Sequence, residues 1–173
     1  SSLTFFAISS DTNALEAMTV GGEALVMEPI LNWFGAVNIY VGATNGYFNV
    51  YDTVQVTVQG VNDPPGPFAL ETVDTVFIDL ENVETDFLTL AWAEAADVEE
   101  DIITYFVTAE LRALSSAGGT VLFNLDTTVS VSQAYISYGL LAELIDEQDL
   151  VNGELEWDVI AMDGVDSTWS ANG

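Results

Sequence analysis

The chain has 173 residues, half of them hydrophobic, with 28 Asp and Glu, one basic side chain (Arg112), no His and no Cys. A formal charge of −27 excludes nucleic acid and anionic membrane surfaces as partners, because both are held by clustered Lys and Arg. The missing Cys excludes disulfides and thiolate metal sites, so stability must come from packing or from an ion held by oxygen.

In chain order the dominant period is two, which predicts strands. Leu3, Phe5 and Ala7 alternate with Thr4, Phe6 and Ile8, Ser10 to Asn13 reads as a turn, and ALEAMTV and EALVMEP flank a Gly21-Gly22 hairpin. After Asn32-Trp33-Phe34-Gly35 come the strand AVNIYVGA, the turn Thr44-Asn45-Gly46 and the strand VYDTVQVTVQ. Five strands in about sixty residues are few for a closed sandwich of roughly 100 residues. Three of the four prolines then crowd into VNDPPGPF; Pro64, Pro65 and Pro67 lack ladder donors and hold the chain extended. The expected organisation is all-β, with two immunoglobulin-like antiparallel β-sandwich domains in tandem at 1–63 and 68–173 and a stiff joint at 64–67. In the second domain FLTLAW, IITYFVTAEL, TVLFNLD, VSVSQAYISY and ELEWDVIAMDG read as strands, and LLAELIDE at 140–147 as a helical turn.

Acidity is uneven. Residues 1–63 carry Asp11, Glu16, Glu23, Glu28, Asp52 and Asp63, leaving 22 of the 28 carboxylates for the rest. Self-repulsion on this scale opposes compaction unless cations screen it, so a salty or divalent-rich setting is expected. No apolar run approaches the roughly 18 residues needed to span a bilayer, and SSLTFFAIS lacks the basic start of a signal peptide.

The order LTFFAISSDTN, LVMEPILNWFGAVNIYVGATNG, VQVTVQGVNDPP over residues 1–65 resembles the cadherin-like tandem repeats of bacterial secreted and surface proteins. Those repeats carry an Asn-Trp-x-Gly corner, an Asp-Gly turn and a terminal Val-Asn-Asp-x-Pro; here the turn is Asn45-Gly46, and the family's first strand is absent. Residues 68–173 resemble a fibronectin type III or related immunoglobulin-like module. LTLAWAEAADVEEDIITYFV matches its second and third strands with Trp92 buried, and GELEWDVIAMDGVDSTWSANG its last two with Trp157 inside, the final strand being incomplete. Such modules often carry Asp-x-Asp-Gly-Asp where this chain has Asp97-Val98-Glu99-Glu100-Asp101.

Without His, Cys or Lys there is no obvious nucleophile–base pair, imidazole shuttle or Schiff-base lysine, and neighbouring carboxylates arise by chance in so acidic a chain, so no enzyme activity is expected. Gly21-Gly22 and Gly118-Gly119 sit between strand-like runs and read as hairpins, not phosphate loops. Calcium takes six to eight oxygens and needs neither His nor Cys. The resemblance implies Asn62 and Asp63 as linker ligands; Asp97, Glu99 and Asp101 share one loop with alternate side chains, and Asp163, before Gly164, comes from a neighbouring connection. The competing readings are an Asx turn at Asn62-Asp63 and a solvated acidic turn at 97–101. Trp33, Trp92 and Trp157 read as core, Trp169 as exposed, and Arg112 as a partner of Glu110.

The expected role is a non-enzymatic structural protein, extracellular or at the cell surface: a subunit or segment of a filament or adhesin, stabilised by calcium. Its expected partners are copies of itself, added by donor strand, or neighbouring β-domains. The alternative is an accessory glycan-binding module of a secreted enzyme, which predicts exposed Trp or Tyr along one sheet face.

Overall fold

Hydrophobic alternation needs something to bury its apolar side, and each part of the chain supplies its own partner layer. The computed structural model describes residues 2–22, 24–73, 75–78, 81, 83–113, 121–147 and 152–172; the expected Gly118-Gly119 hairpin lies outside them. Two compact units result, Ser1–Val61 and Asn62–Gly173.

In the first unit β1 (Thr4–Ser9), β4 (Gly35–Thr44) and β5 (Asn49–Val58) form an antiparallel sheet in the order β1-β4-β5, and β2 (Leu15–Val20) pairs with β3 (Ala24–Pro29). Ala14, Leu15, Val37 and Ile39 are buried, with Ala7, Trp33, Val41, Val56 and Val58 packed against them. The register aligns Ala7 with Val41 and Val37 with Val56, so these residues line one face of the three-stranded sheet.

The turns follow local chemistry. Gly21 and Gly22 adopt φ of 64° and 76° between β2 and β3, a region open to glycine. At the Asn32-Trp33-Phe34-Gly35 corner, Asn32 is left-handed at φ 62° and the Trp33 amide donates to the Ile30 carbonyl at 3.0 Å. A Cβ on Gly35 would stand 3.3 Å from the Trp33 ring, so the glycine lets the indole fold back onto the chain. Asn45 Oδ1 accepts from the amides of Tyr47 and Phe48 at 3.0 and 2.9 Å, closing the turn into β5.

The second unit has a four-stranded antiparallel sheet, β11-β10-β7-β8, formed by β7 (Thr104–Ala113), β8 (Val121–Val129), β10 (Gly153–Met162) and β11 (Ser167–Trp169). A second sheet pairs β6 (Phe87–Ala91) with β9 (Gln133–Ser137). Leu88, Leu90, Trp92 and Ile136 share one core with Tyr105, Val107, Ala109, Leu111, Val159 and Ala161 in a sandwich-like arrangement. The expected strand over Val129 to Tyr138 is broken at Ser130–Ser132, where the chain leaves β8 and enters β9. The helix α1 (Tyr138–Asp146) starts two residues before the expected turn, because the Ser137 hydroxyl caps it by accepting from the Leu140 amide.

The proline stretch belongs to this second unit. Pro65 is fully buried, its carbonyl accepts from the Thr168 hydroxyl at 2.5 Å, and the Gly66 amide donates to the Ala96 carbonyl at 2.7 Å. Residues 69 to 71 continue beside Ala91 and Ala93, and Asn172 brackets Leu70 by donating to its carbonyl and accepting from its amide. The prolines pre-extend a segment that packs against the sandwich.

Leu90 is completely buried in this core. Leu90→Ala is expected to destabilise the second unit by about 2–5 kcal/mol, the usual range for a buried Leu truncation, measured as a lower denaturation midpoint at unchanged m-value.

Candidate cation site

Three short stretches meet at the start of the second unit. The Asn62 amide nitrogen donates to Asp163 Oδ2 at 3.1 Å and to Asp166 Oδ2 at 3.0 Å. The Asp63 backbone amide donates to Glu99 Oε2 at 3.2 Å. Consecutive residues therefore tie one carboxylate-bearing loop, 97–101, and the turn after β10 to the same point of the chain.

The 97–101 loop is wound around Asp97. Its Oδ1 accepts from the amides of Glu99 at 2.9 Å and Asp101 at 3.0 Å, while its Oδ2 is buried without a hydrogen-bond partner. Glu100 lies at φ 62°, in the left-handed region that favours glycine. A tight loop thus forms without the glycine, at the expense of backbone strain in Glu100.

At the other turn Asp163 Oδ1 accepts from the amides of Val165 and Asp166, both at 2.7 Å. These two bonds, Asp166 first, hold the Asp163 carboxyl below its ordinary pKa, with a smaller contribution from Asn62 and a partial opposing effect of burial. Gly164, at φ 98°, makes the turn possible.

The sequence-derived residues Asn62, Asp63, Asp97, Glu99, Asp101 and Asp163 accordingly fall into two linked sets, Asn62 with Asp163 and Asp63 with Glu99, Asp97 and Asp101. Asp166 joins the first set and escaped the sequence reading, although Asp163-Gly164-Val165-Asp166 carried its signal as a second acid closing an Asp-Gly turn. In the observed side-chain arrangement, no three acidic groups among the described residues converge as a cation cage. The donor set is nonetheless all oxygen, and the Asn62 carboxamide points its nitrogen at Asp163 and Asp166; reversing the amide would turn an acceptor toward the same space.

Arg112 pairs with Glu110, and lies 3.5 Å from Glu156. It sits in an open groove of about 700 Å³ with Asp126 and Asp158. Trp92 is buried with its ring 6.4 Å from that of Trp157, Trp33 and Trp157 are half-buried, and Trp169 is 58% exposed. No protein-family model matches the chain, and no curated protein matches it significantly.

Two outcomes are expected. Glu100→Gly should stabilise the second unit by about 1 kcal/mol, because glycine relieves the left-handed strain, seen as a raised unfolding midpoint. Asp163, whose folded-state pKa is depressed, should contribute stability above its unfolded-state value of about 3.9 and lose it as pH falls through the lower folded-state value. The difference in unfolding midpoint between the unaltered chain and Asp163→Asn, followed from pH 6 to 2.5, should therefore shrink at the acid end.

Proposed function

We propose that the chain is a non-enzymatic structural segment of an extracellular or cell-surface assembly, built from tandem β-domains of cadherin-like and fibronectin type III-like kind and stabilised by calcium. The observation that carries this reading is the convergence of Asn62-Asp63, the end of the cadherin-like signature, on the 97–101 loop and the Asp163 turn. Asn62, Asp63, Asp97, Glu99, Asp101 and Asp163 would hold the ion; calcium would supply positive charge to a chain that has one cationic side chain.

Assembly by strand addition is supported by the edges of the first unit. Each of β1 and β5 has one ladder partner, β4, among the described residues, although the Thr19 hydroxyl donates to Phe5 O at 3.1 Å beside β1. The edge strand β5 is ten residues long and contains neither Pro nor Lys, the residues that commonly block edge pairing. A strand from another copy, laid on such an edge, would satisfy its backbone groups, and head-to-tail repetition yields a filament.

Thermal unfolding at fixed ionic strength, with calcium and with chelator, tests the ion. At a hundredfold excess over Kd the native state should gain about 2.7 kcal/mol, and Glu99→Gln should reduce the gain; an unchanged midpoint in calcium would leave only charge screening. Electron micrographs of native material test the assembly: filaments are expected, and isolated monomers at all concentrations would refute it.

A further inference from the structure

The face of the β1-β4-β5 sheet turned away from its core carries no Asp or Glu on its strands. The first unit has five carboxylates, Asp11, Glu16, Glu23, Glu28 and Asp52, and none of them holds a strand position on this face. The corresponding face of the second unit's large sheet presents Glu110, Asp126, Glu154, Glu156 and Asp158. On the neutral face, register places Phe6, Gly42 and Tyr51 in one row across the three strands, with Ile8, Tyr40 and Thr53 in the next.

Gly42 gives this face its form. A Cβ at that position would collide with the Phe6 ring, so the phenyl group lies across the gap left by the glycine. It meets Tyr51 edge to face, with centroids 5.6 Å apart at 65°. Tyr51 is 64% and Tyr40 46% exposed. The exposed side chains of Asn38, Thr53 and Gln55 bring amide and hydroxyl groups to the same face.

We infer that this face binds an uncharged polysaccharide. Ring faces carry negative charge density and attract the polarised C–H groups of a pyranose, while amides and hydroxyls exchange hydrogen bonds with sugar hydroxyls. A neutral polymer adds no charge next to a protein of −27. This inference does not rest on the structural role proposed above: calcium binding and filament formation can fail while the face still binds glycan, and the reverse.

The test is native affinity electrophoresis of the full chain through gels containing soluble neutral polysaccharides, namely hydroxyethyl cellulose, xyloglucan, galactomannan, β-1,3-glucan and starch. At least one should retard the protein. Tyr51→Ala and Tyr40→Ala should each weaken retention about three- to tenfold, the equivalent of roughly 0.7–1.4 kcal/mol per ring, with unaltered circular dichroism. Tyr51→Phe should restore retention, and Trp169→Ala should leave it unchanged. The proposal is overturned by absence of retardation in every gel or by full retention of the Tyr40→Ala, Tyr51→Ala double variant. It is equally overturned if Trp169→Ala alone abolishes binding, or if the tyrosine variants change only self-association in sedimentation velocity.

Discussion

One guanidinium among 28 carboxylates is the constraint under which everything else in this molecule is built. Ion pairing can serve a single place, where Arg112 sits between Glu110 and Glu156, residues that face each other directly across β7 and β10. Like charges opposite one another in a ladder destabilise it, and Arg112 offsets that repulsion at one rung. Elsewhere the backbone takes the part of the missing lysines. Asp11, Asp97 and Asp163 each accept amide hydrogens from residues a few positions on, and Asn45 does the same without charge. Charge-assisted bonds of this kind are stronger than neutral ones and need no side-chain partner.

The same scarcity shapes the two units differently. The second carries most of the carboxylates and has the larger core, with two sheets, Trp92 and Tyr105 in edge contact at 5.4 Å, and α1 contributing Leu141. Carboxylates lie on its outward strand positions, where solvent and cations screen them. The first unit carries five carboxylates, Asp11, Glu16, Glu23, Glu28 and Asp52, and no cationic side chain; it has a small buried core around Leu15 and Ile39 and leaves Tyr40, Tyr51 and Val54 exposed.

Much of this was legible in the chain because strands and turns are local matters. Alternation placed β1 to β5 closely, since a period of two is imposed by the pleat itself. The Ser137 cap and the break at Ser130–Ser132 were harder to see, because serine is compatible with a strand, a turn or a cap until its neighbours are known. The proline segment shows the limit most plainly. Three prolines dictate an extended conformation, and sequence reasoning took that as a joint; burial of Pro65 and the bonds of Pro65 and Gly66 to Thr168 and Ala96 depend on residues 30 to 100 positions away.

By itself the sequence determined the all-β class, the acidic character, the lack of imidazole and thiol chemistry, and the oxygen-bearing residues available to a cation, because each follows from composition or from spacing along one strand or loop. Tertiary structure alone decided that Asn62 reaches Asp163 and Asp166, that Glu100 takes a left-handed conformation where glycine is usual, and that Phe6 lies over Gly42 against Tyr51. Those contacts join residues far apart in the chain, and their geometry depends on strand register and loop closure, which arise from packing the whole unit at once.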